Sequence, residues 1–314
     1  MANKPVDATE WIRRIRLRHL EILQTIAQQG SLTAAANALN MTQPAASQWL
    51  ADIEAIVGFQ LFVRGRRLKP TPYAAPLLRH VERVLGDTRR VMDEMAAVHG
   101  GDGVLVRIGI MLVAASQLIP DAVKDLRNNG SEVRLELFED NAIGLWSRFE
   151  RNELDVIIGR LDERALSSGY PNERLFADQY CVVCRPDHPF ARKRKPVWSD
   201  ATKYPWIMPP HGTPLRVAIE ATFAKEGAKT PVAWLDSVSL TTTQVLLRDT
   251  DCLAVLSRAA ADYAHSLGIL KAMPLVLNND IGDVGDVGMI WKDSEPDPEL
   301  ESVLNAIRQA NQKH

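Results

Sequence analysis

The sequence predicts a molecule in two parts: a small α-rich head closed by a basic hairpin, then, beyond one long amphipathic helix, a larger α/β domain split into two lobes. Three observations predict it. Residues 16–57 carry three short apolar patterns at helical spacing, and the cation-rich run Arg64-Gly65-Arg66-Arg67-Leu68-Lys69 follows at once. An unbroken seam of Leu77, Val81, Val84, Thr88, Val91, Met95 and Val98 then runs to the boundary His99-Gly100-Gly101-Asp102-Gly103. Past that boundary, strand-like and helix-like segments alternate to the end of the chain.

The head is built from cap to cap. Its first helix carries Leu20, Leu23, Ile26 and Ala27 and stops at Gly30. Ser31 can cap the second, whose apolar face is Leu32, Ala35, Ala36 and Leu39. Thr42 can cap the third, and Pro44 is tolerated in its first turn because its missing N–H is an orphan there. This third helix buries Ala46, Leu50, Ile53 and Val57. Pro44, Ser47, Gln48 and Ala51 fall on the far side, with Gln43 at the tip. Small residues keep that face slim enough for a major groove, and Gln43, Ser47 and Gln48 supply donors and acceptors. The same spacing also suits a plain solvated face. The hairpin that follows, a strand at Gln60–Phe62, four cations and a return through Pro70 and Thr71, tips the reading to a DNA-binding wing.

The long helix is expected from about Pro72 to Val98. Its seam alternates four- and three-residue steps, the coiled-coil period, with Leu78, Leu85 and Met92 flanking it. A second copy of the chain is the simplest partner for it. Pro76 would fall beyond the first turn of a helix starting at Pro72 and cost one hydrogen bond there. Beyond the glycines, strands are read at Val104–Ile110, Val133–Phe138, Asp155–Ile158, Tyr180–Arg185, Trp206–Met208, Val232–Leu235, Leu253–Leu256 and Val287–Ile290. Helices are read at Gln117–Asn128, Ala142–Arg151, Pro214–Glu226, Val238–Asp249 and the C-terminus to Gln309, giving a mostly parallel sheet in two lobes.

Composition narrows the function. The 314 residues suffice for two or three compact units, and 46% hydrophobic with 24% charged is ordinary for a globular protein. No apolar run reaches the ~20 residues that span a bilayer, and the start lacks a leader pattern, so a cytoplasmic protein with no membrane partner is expected. Residues 1–100 hold 13 Lys+Arg against 9 Asp+Glu, while the remainder is acidic, which suits a DNA-binding end on an acidic body. Three cysteines argue against a disulfide framework; Cys181 and Cys184 of C-V-V-C fall on opposite faces of a strand. The histidines lack ligand spacing, and no phosphate, dinucleotide or nucleophile-elbow motif occurs, so neither a metal nor a cofactor is expected.

The segment SLTAAANALNMTQPAASQWLADIEAIVGFQLFVRGRRLKPT resembles the winged helix-turn-helix of LysR-type transcriptional regulators, through T-Q-P-A-x-S at Thr42–Ser47 and L-F-x-R at Leu61–Arg64. Later segments, ELDVIIGRL, VVCRPDHPFA, WIMPPHGTPLR and LAVLSR, also fit and resemble the subgroup related to the galactose-binding-protein regulator. The resemblance covers residues 16 to about 291. It implies a winged helix-turn-helix domain at 1–71, a dimerisation helix at 72–99 and an effector domain of periplasmic-binding-protein type at 100–314. The first lobe would be about 104–178 with 281–314, the second about 179–280. It further implies a homodimer or homotetramer on operator DNA, with RNA polymerase as a candidate partner. By position Ser31, Thr42, Gln43, Pro44, Ser47 and Gln48 would meet DNA, with Arg64, Arg66 and Arg67 in the wing. Leu77, Val81, Val84, Val91 and Met95 would form the dimer. Gln48 stands where the family usually has arginine, and the wing is about one residue short.

Ligands of open α/β sheets bind outside the carboxyl ends of strands. That points to Val113, Ala114 and Ser116 after the first strand, to Asp140 and Asn141 after the second, and to His211, Gly212 and Thr213 before the helix at Pro214. Loops that open helices favour an anion, so a small carboxylate is expected, with a sugar as the other ligand class. Two further readings compete. A two-lobed cytosolic transferase or hydrolase would need a nucleophile–base or cofactor motif that the sequence lacks. A solute-binding protein would need a leader and no basic head.

Overall fold

Cap residues divide the head where the sequence places them. The computed structural model describes residues 11, 13–63, 65, 67–100, 103–277 and 286–313. Helix α1 (Leu17–Gln29) ends at Gly30, whose φ of 60° is left-handed and whose N–H donates to the Ile26 carbonyl at 3.0 Å. Helix α2 (Leu32–Ala38) opens at Ser31, which accepts the Ala34 N–H, and α3 (Gln43–Val57) opens at Thr42, which accepts the Ala45 N–H. Leu20, Leu23, Ile26, Ala35, Leu50 and Ile53 form one buried core, against which Val57 packs only in part, while Ile56 is the more deeply buried of the two. The wing is the antiparallel pair β1 (Phe62–Val63) and β2 (Lys69–Pro70). Arg64 and Arg66 lie outside the described residues.

Helix α4 (Ala74–Gly100) starts two residues later than expected. Pro76 is therefore its third residue, where a backbone N–H has no intrahelical partner, and the anticipated lost hydrogen bond does not arise. The seam divides. Val81 is fully buried in the head's own core, and Leu77 and Val84 pack on it in part. Val91, Met92 and Met95 are 52%, 62% and 63% exposed. The Val98 side chain, and Gly101 and Asp102 of the expected hinge, lie outside the description.

The chain forms two compact units, Met1–Leu105 with Ser147–Leu154, and Val106–Trp146 with Asp155–His314. From Leu105 onward the chain alternates β3 (Leu105–Ile110), α5 (Leu112–Ala115), α6 (Leu118–Asn128), β4 (Arg134–Glu139), α7 (Ala142–Glu150, whose last residues from Ser147 belong to the first unit), β5 (Val156–Arg160), α8 (Glu163–Ser167) and β6 (Asn172–Phe176). It continues through β7 (Tyr180–Cys184), α9 (Trp198–Ala201), β8 (Trp206–Met208), α10 (Pro214–Lys225), β9 (Ala233–Asp236), α11 (Leu240–Asp249) and β10 (Ala254–Ser257). It ends with α12 (Arg258–Ser266), β11 (Lys271–Val276), β12 (Val287–Trp291) and α13 (Pro298–Asn311).

Within the larger unit the strands sort into two lobes. The first is a sheet of order β4-β3-β5-β12-β6 with α6 and α13 packed on it. The second holds β10-β7-β11 and the pair β8-β9. Strands β3 and β5 are parallel, as are β8 and β9, but β12 runs antiparallel to both β5 and β6, and β7 runs antiparallel to β10 and β11. The mostly parallel sheet read from the sequence is thus corrected to mixed sheets. The chain leaves the first lobe after β6 and returns to it as β12, so the returning strand enters against its neighbours. Cys181 and Cys184 lie in cores on opposite faces of β7, and burial pushes both thiols up to about 12.

Met92→Asp and Met95→Asp are expected to convert an oligomer into monomers by light scattering, with an unchanged melt. Val81→Asp should instead unfold the head, at a cost on the order of 3 kcal/mol or more. An oligomer that survives both methionine variants assigns dimerisation elsewhere.

His188 sets a pH dependence. The ring is fully buried, its Nδ1 accepts the Phe190 N–H at 2.9 Å, and it meets Tyr204 edge-on. Burial, outweighing the nearby Asp251 carboxylate, holds its pKa below 6.5. The unfolded chain therefore takes up a proton that the folded chain refuses, and stability falls as pH drops below about 6.5, by at most ~1.4 kcal/mol per pH unit. His188→Asn keeps an acceptor for Phe190 and removes the titration, so its urea midpoint should fall less between pH 7 and 5.5. Parallel slopes in both proteins would show that the folded ring takes up its proton as readily as the unfolded chain does.

Candidate nucleic-acid interface and effector cleft

On α3 the buried row Ala46, Leu50 and Ile53 turns Gln43, Pro44, Gln48, Ala51 and Asp52 outward, with Ser47 half-buried beside them. Thr42 and Ser31 each give an acceptor site to their own helix, which makes them caps whatever else they touch. Gln48 is not free either: its Nε2 donates to Asp52 Oδ1 at 2.8 Å. Arg67 and Lys69 are exposed on the wing.

Sequence reasoning missed what holds the wing. Glu54, on α3, accepts the N–H groups of Leu61 and Phe62 at 2.7 and 3.2 Å. Leu68 N–H donates to the Gly30 carbonyl, and Thr71 donates to Leu61 and Gln60 carbonyls. Helix α3 and the wing are thereby one rigid piece. The sign available in the sequence was Glu54, an acidic residue near the end of α3 that falls between its buried and exposed faces, whereas Asp52 points outward.

In the α/β unit the residues expected after β3 form a helix rather than a loop. Val113 and Ala114 are buried on α5, and Ala114 belongs to the first lobe's core, so its side chain cannot line a cleft. Helix α5 packs against α12 of the second lobe. Ser116 caps the end of α5, and its Oγ is buried without a hydrogen-bond partner among the described residues. Helix α6, which follows, has no side-chain cap at its start. Asn141 is exposed and caps α7 through Gly144 N–H at 3.1 Å, while Asp140 accepts the Asn141 N–H.

The second loop is clamped from beneath by Arg216, a buried residue that the sequence did not single out. Its Nη1 donates to the Pro209 carbonyl at 3.1 Å and to Asp236 at 2.8 Å, its Nε donates to Glu220 at 2.6 Å, and Nη2 lies 3.4 Å from exposed His211 Nε2. Gly212 takes a φ of 82° that favours glycine. Thr213 is engaged on both sides. Its Oγ1 donates to the Pro210 carbonyl at 2.8 Å and accepts the Arg216 N–H at 3.3 Å, and its own N–H donates to Pro210. Pro214 has no N–H at all, which leaves only Leu215's at this helix start. The anion-ready terminus expected here is therefore mostly self-satisfied.

Between the lobes lies a cluster that no motif announced. Arg160 ends β5; its Nε donates to Tyr180 Oη at 3.3 Å, Nη1 donates to the Asp178 carbonyl, and Nη2 pairs with the Asp178 carboxylate. Asp178 Oδ1 also accepts the Ala259 N–H at 3.0 Å, at the start of α12. Burial pushes the Asp178 carboxyl up, and Ala259 and Arg160 pull it back only in part.

A helix-turn-helix carrying a basic hairpin, on one chain with a two-lobed α/β domain, defines a DNA-binding regulator with its own ligand-binding domain. The chain belongs to the LysR family of such regulators. Residues 17–75 match the bacterial regulatory helix-turn-helix protein, lysR family, and residues 99–312 match the LysR substrate binding domain. It is similar to the transcriptional regulator GbpR of Azospirillum brasilense, 28% identical over 95% of this chain and 87% of the relative. It is also similar to PcaQ of Agrobacterium fabrum (strain C58 / ATCC 33970), 27% identical over 95% and 96%. Among solved structures, full-length CbnR in complex with its target DNA superposes with a TM-score of 0.65 at 15% identity, covering 94% of this chain and all of that one (100%). A full-length OxyR variant from Pseudomonas aeruginosa gives 0.56 at 21%, covering 93% and 97%. The chain is a transcriptional regulator with an effector-binding domain; the enzyme reading is set aside. Among the described residues no helix is long and apolar enough to cross a membrane.

Proposed function

We propose that this regulator works in the cytoplasm as a homodimer or homotetramer, reads its operator with Gln43, Pro44, Ser47 and Gln48 of α3, and grips phosphates with the wing. The observation that carries the reading is the junction of α3 and wing through Glu54, which holds the slim polar face of α3 beside the exposed wing cations Arg67 and Lys69. The exposed Val91, Met92 and Met95 supply the surface for a second copy. RNA polymerase is the further partner that such a regulator requires when it acts on a promoter.

The effector is a small organic molecule bound between the lobes, anchored at the α5–α6 junction. Among the described residues Ser116 Oγ is buried and unpartnered there, and α6 starts without a side-chain cap. A hydroxyl or carboxylate oxygen would satisfy both. The self-satisfied start of α10 and the carboxylates around Arg216 shift the balance toward a sugar-like ligand over a strongly anionic one.

Arg64→Ala with Arg66→Ala should weaken binding to every DNA sequence and reduce the log–log salt slope by about 2. Ser47→Ala or Gln43→Ala should relax operator preference, by roughly 1–3 kcal/mol per base pair misread. Anisotropy titrations with operator and scrambled duplexes separate the two effects, and variants all indistinguishable from wild type would overturn the reading.

For the effector, a thermal-shift panel of neutral monosaccharides and small carboxylates should yield a compound that raises the melting temperature. Ser116→Ala should lose most of that shift. Thr213→Val should lower the intrinsic stability by about 1 kcal/mol and keep the shift. The reverse pattern would move the ligand to α10.

A further inference from the structure

We propose that Gln48 reads an adenine in the major groove and that Asp52 holds Gln48 in the orientation that does so. The inference rests on α3 being the DNA-reading helix and names what one of its residues recognises.

Gln48 and Asp52 stand one helical turn apart on the outward face of α3, both exposed, joined by the 2.8 Å hydrogen bond from Nε2 to Oδ1. The chemistry of the pair fixes the amide. An ionised carboxylate only accepts hydrogen bonds, so the amide must turn its NH2 toward Asp52 and its Oε1 away. One N–H is then spent on Asp52. What remains for DNA is one acceptor, Oε1, and one donor, the second N–H.

That pattern matches one base. Adenine shows a donor, N6–H, beside an acceptor, N7, and takes both bonds at once. Guanine shows two acceptors, N7 and O6, so Oε1 would face a lone pair. Cytosine offers only its N4–H, and thymine an acceptor and a methyl group. Without Asp52 the amide could rotate and offer its donors to guanine. Asp52 removes that choice. It also sets a negative charge on a face that approaches phosphates, which costs affinity for every sequence. The pair therefore exchanges general attraction for discrimination. Asp52 is a positioning residue; Gln48 makes the contact.

The experiment uses the full-length protein and operators selected from a library randomised across one half-site. Wild type should enrich adenine at one position, and replacing that A·T pair by G·C should weaken binding at least about tenfold. Gln48→Ala should abolish discrimination at that position and leave the other positions unchanged. Asp52→Ala should tighten binding to random duplex several-fold at low salt while cutting the adenine-to-guanine ratio at least about threefold. Asp52→Asn, which can donate as well as accept, should fall between. Both side chains are exposed, so equal melting curves are expected for all four proteins. An unchanged base preference in Gln48→Ala, or an unchanged adenine-to-guanine ratio in Asp52→Ala, overturns the proposal and leaves a solvated surface pair. A wild type that selects no sequence overturns the reading of α3 itself, and with it this inference.

Discussion

The two lobes of the effector domain depend on one buried ion pair. Arg160 closes β5, Asp178 lies on the first crossing between lobes, and the same carboxylate accepts the Ala259 N–H at the start of α12. Burying the two charges is expensive, and only good geometry with further hydrogen bonds repays it. Here those bonds come from three separate pieces of chain: Tyr180 on β7, the Asp178 carbonyl on the crossing, and the α12 backbone. Loss of either partner would strand a buried charge, so the node constrains how the lobes can turn about the crossing.

That node places limits on ligand control. A ligand shifts a two-state domain only by its differential affinity for the two states. Helix α5 already packs against α12, beside the node, and Ser116 ends α5 with its hydroxyl unpaired among the described residues. A ligand oxygen that satisfies Ser116 in one lobe arrangement and not in another supplies such a difference. The Thr213 hydroxyl is the poorer candidate, because it already donates to the Pro210 carbonyl and accepts the Arg216 N–H.

The head was legible because its signals are local. Gly30, Ser31 and Thr42 mark helix ends through their own conformational and capping chemistry, and the three-residue steps of Leu20, Leu23 and Ile26 identify a buried face without reference to anything distant. The strands of the effector domain were legible where they are buried on both faces, as in β5, β7 and β12. Strand β6, Asn-Glu-Arg-Leu-Phe, is mostly polar and was missed, and strand direction was misread because the return of β12 is a property of the crossing, not of its residues. The candidate effector residues were legible only as cap-capable types. Whether a hydroxyl is used by its own helix, as at Thr213, or left over, as at Ser116, depends on partners that no spacing reveals. Arg160, Asp178 and Arg216 were invisible for the same reason: each is an ordinary charged residue until the fold buries it.

The charge distribution completes the argument about the head. Its first 100 residues exceed neutrality by only four charges, and the remainder of the chain is acidic. So small an excess of positive charge gives a weak, sequence-independent grip. Under the proposed function, specific binding would then come from the shape and orientation of polar groups on α3 and from pairing two heads on two half-sites. On the reading proposed above, the Gln48–Asp52 pair and the exposed apolar end of α4 would meet those two demands with different physics, one by fixing a donor and an acceptor, the other by offering apolar surface for a partner to remove from water.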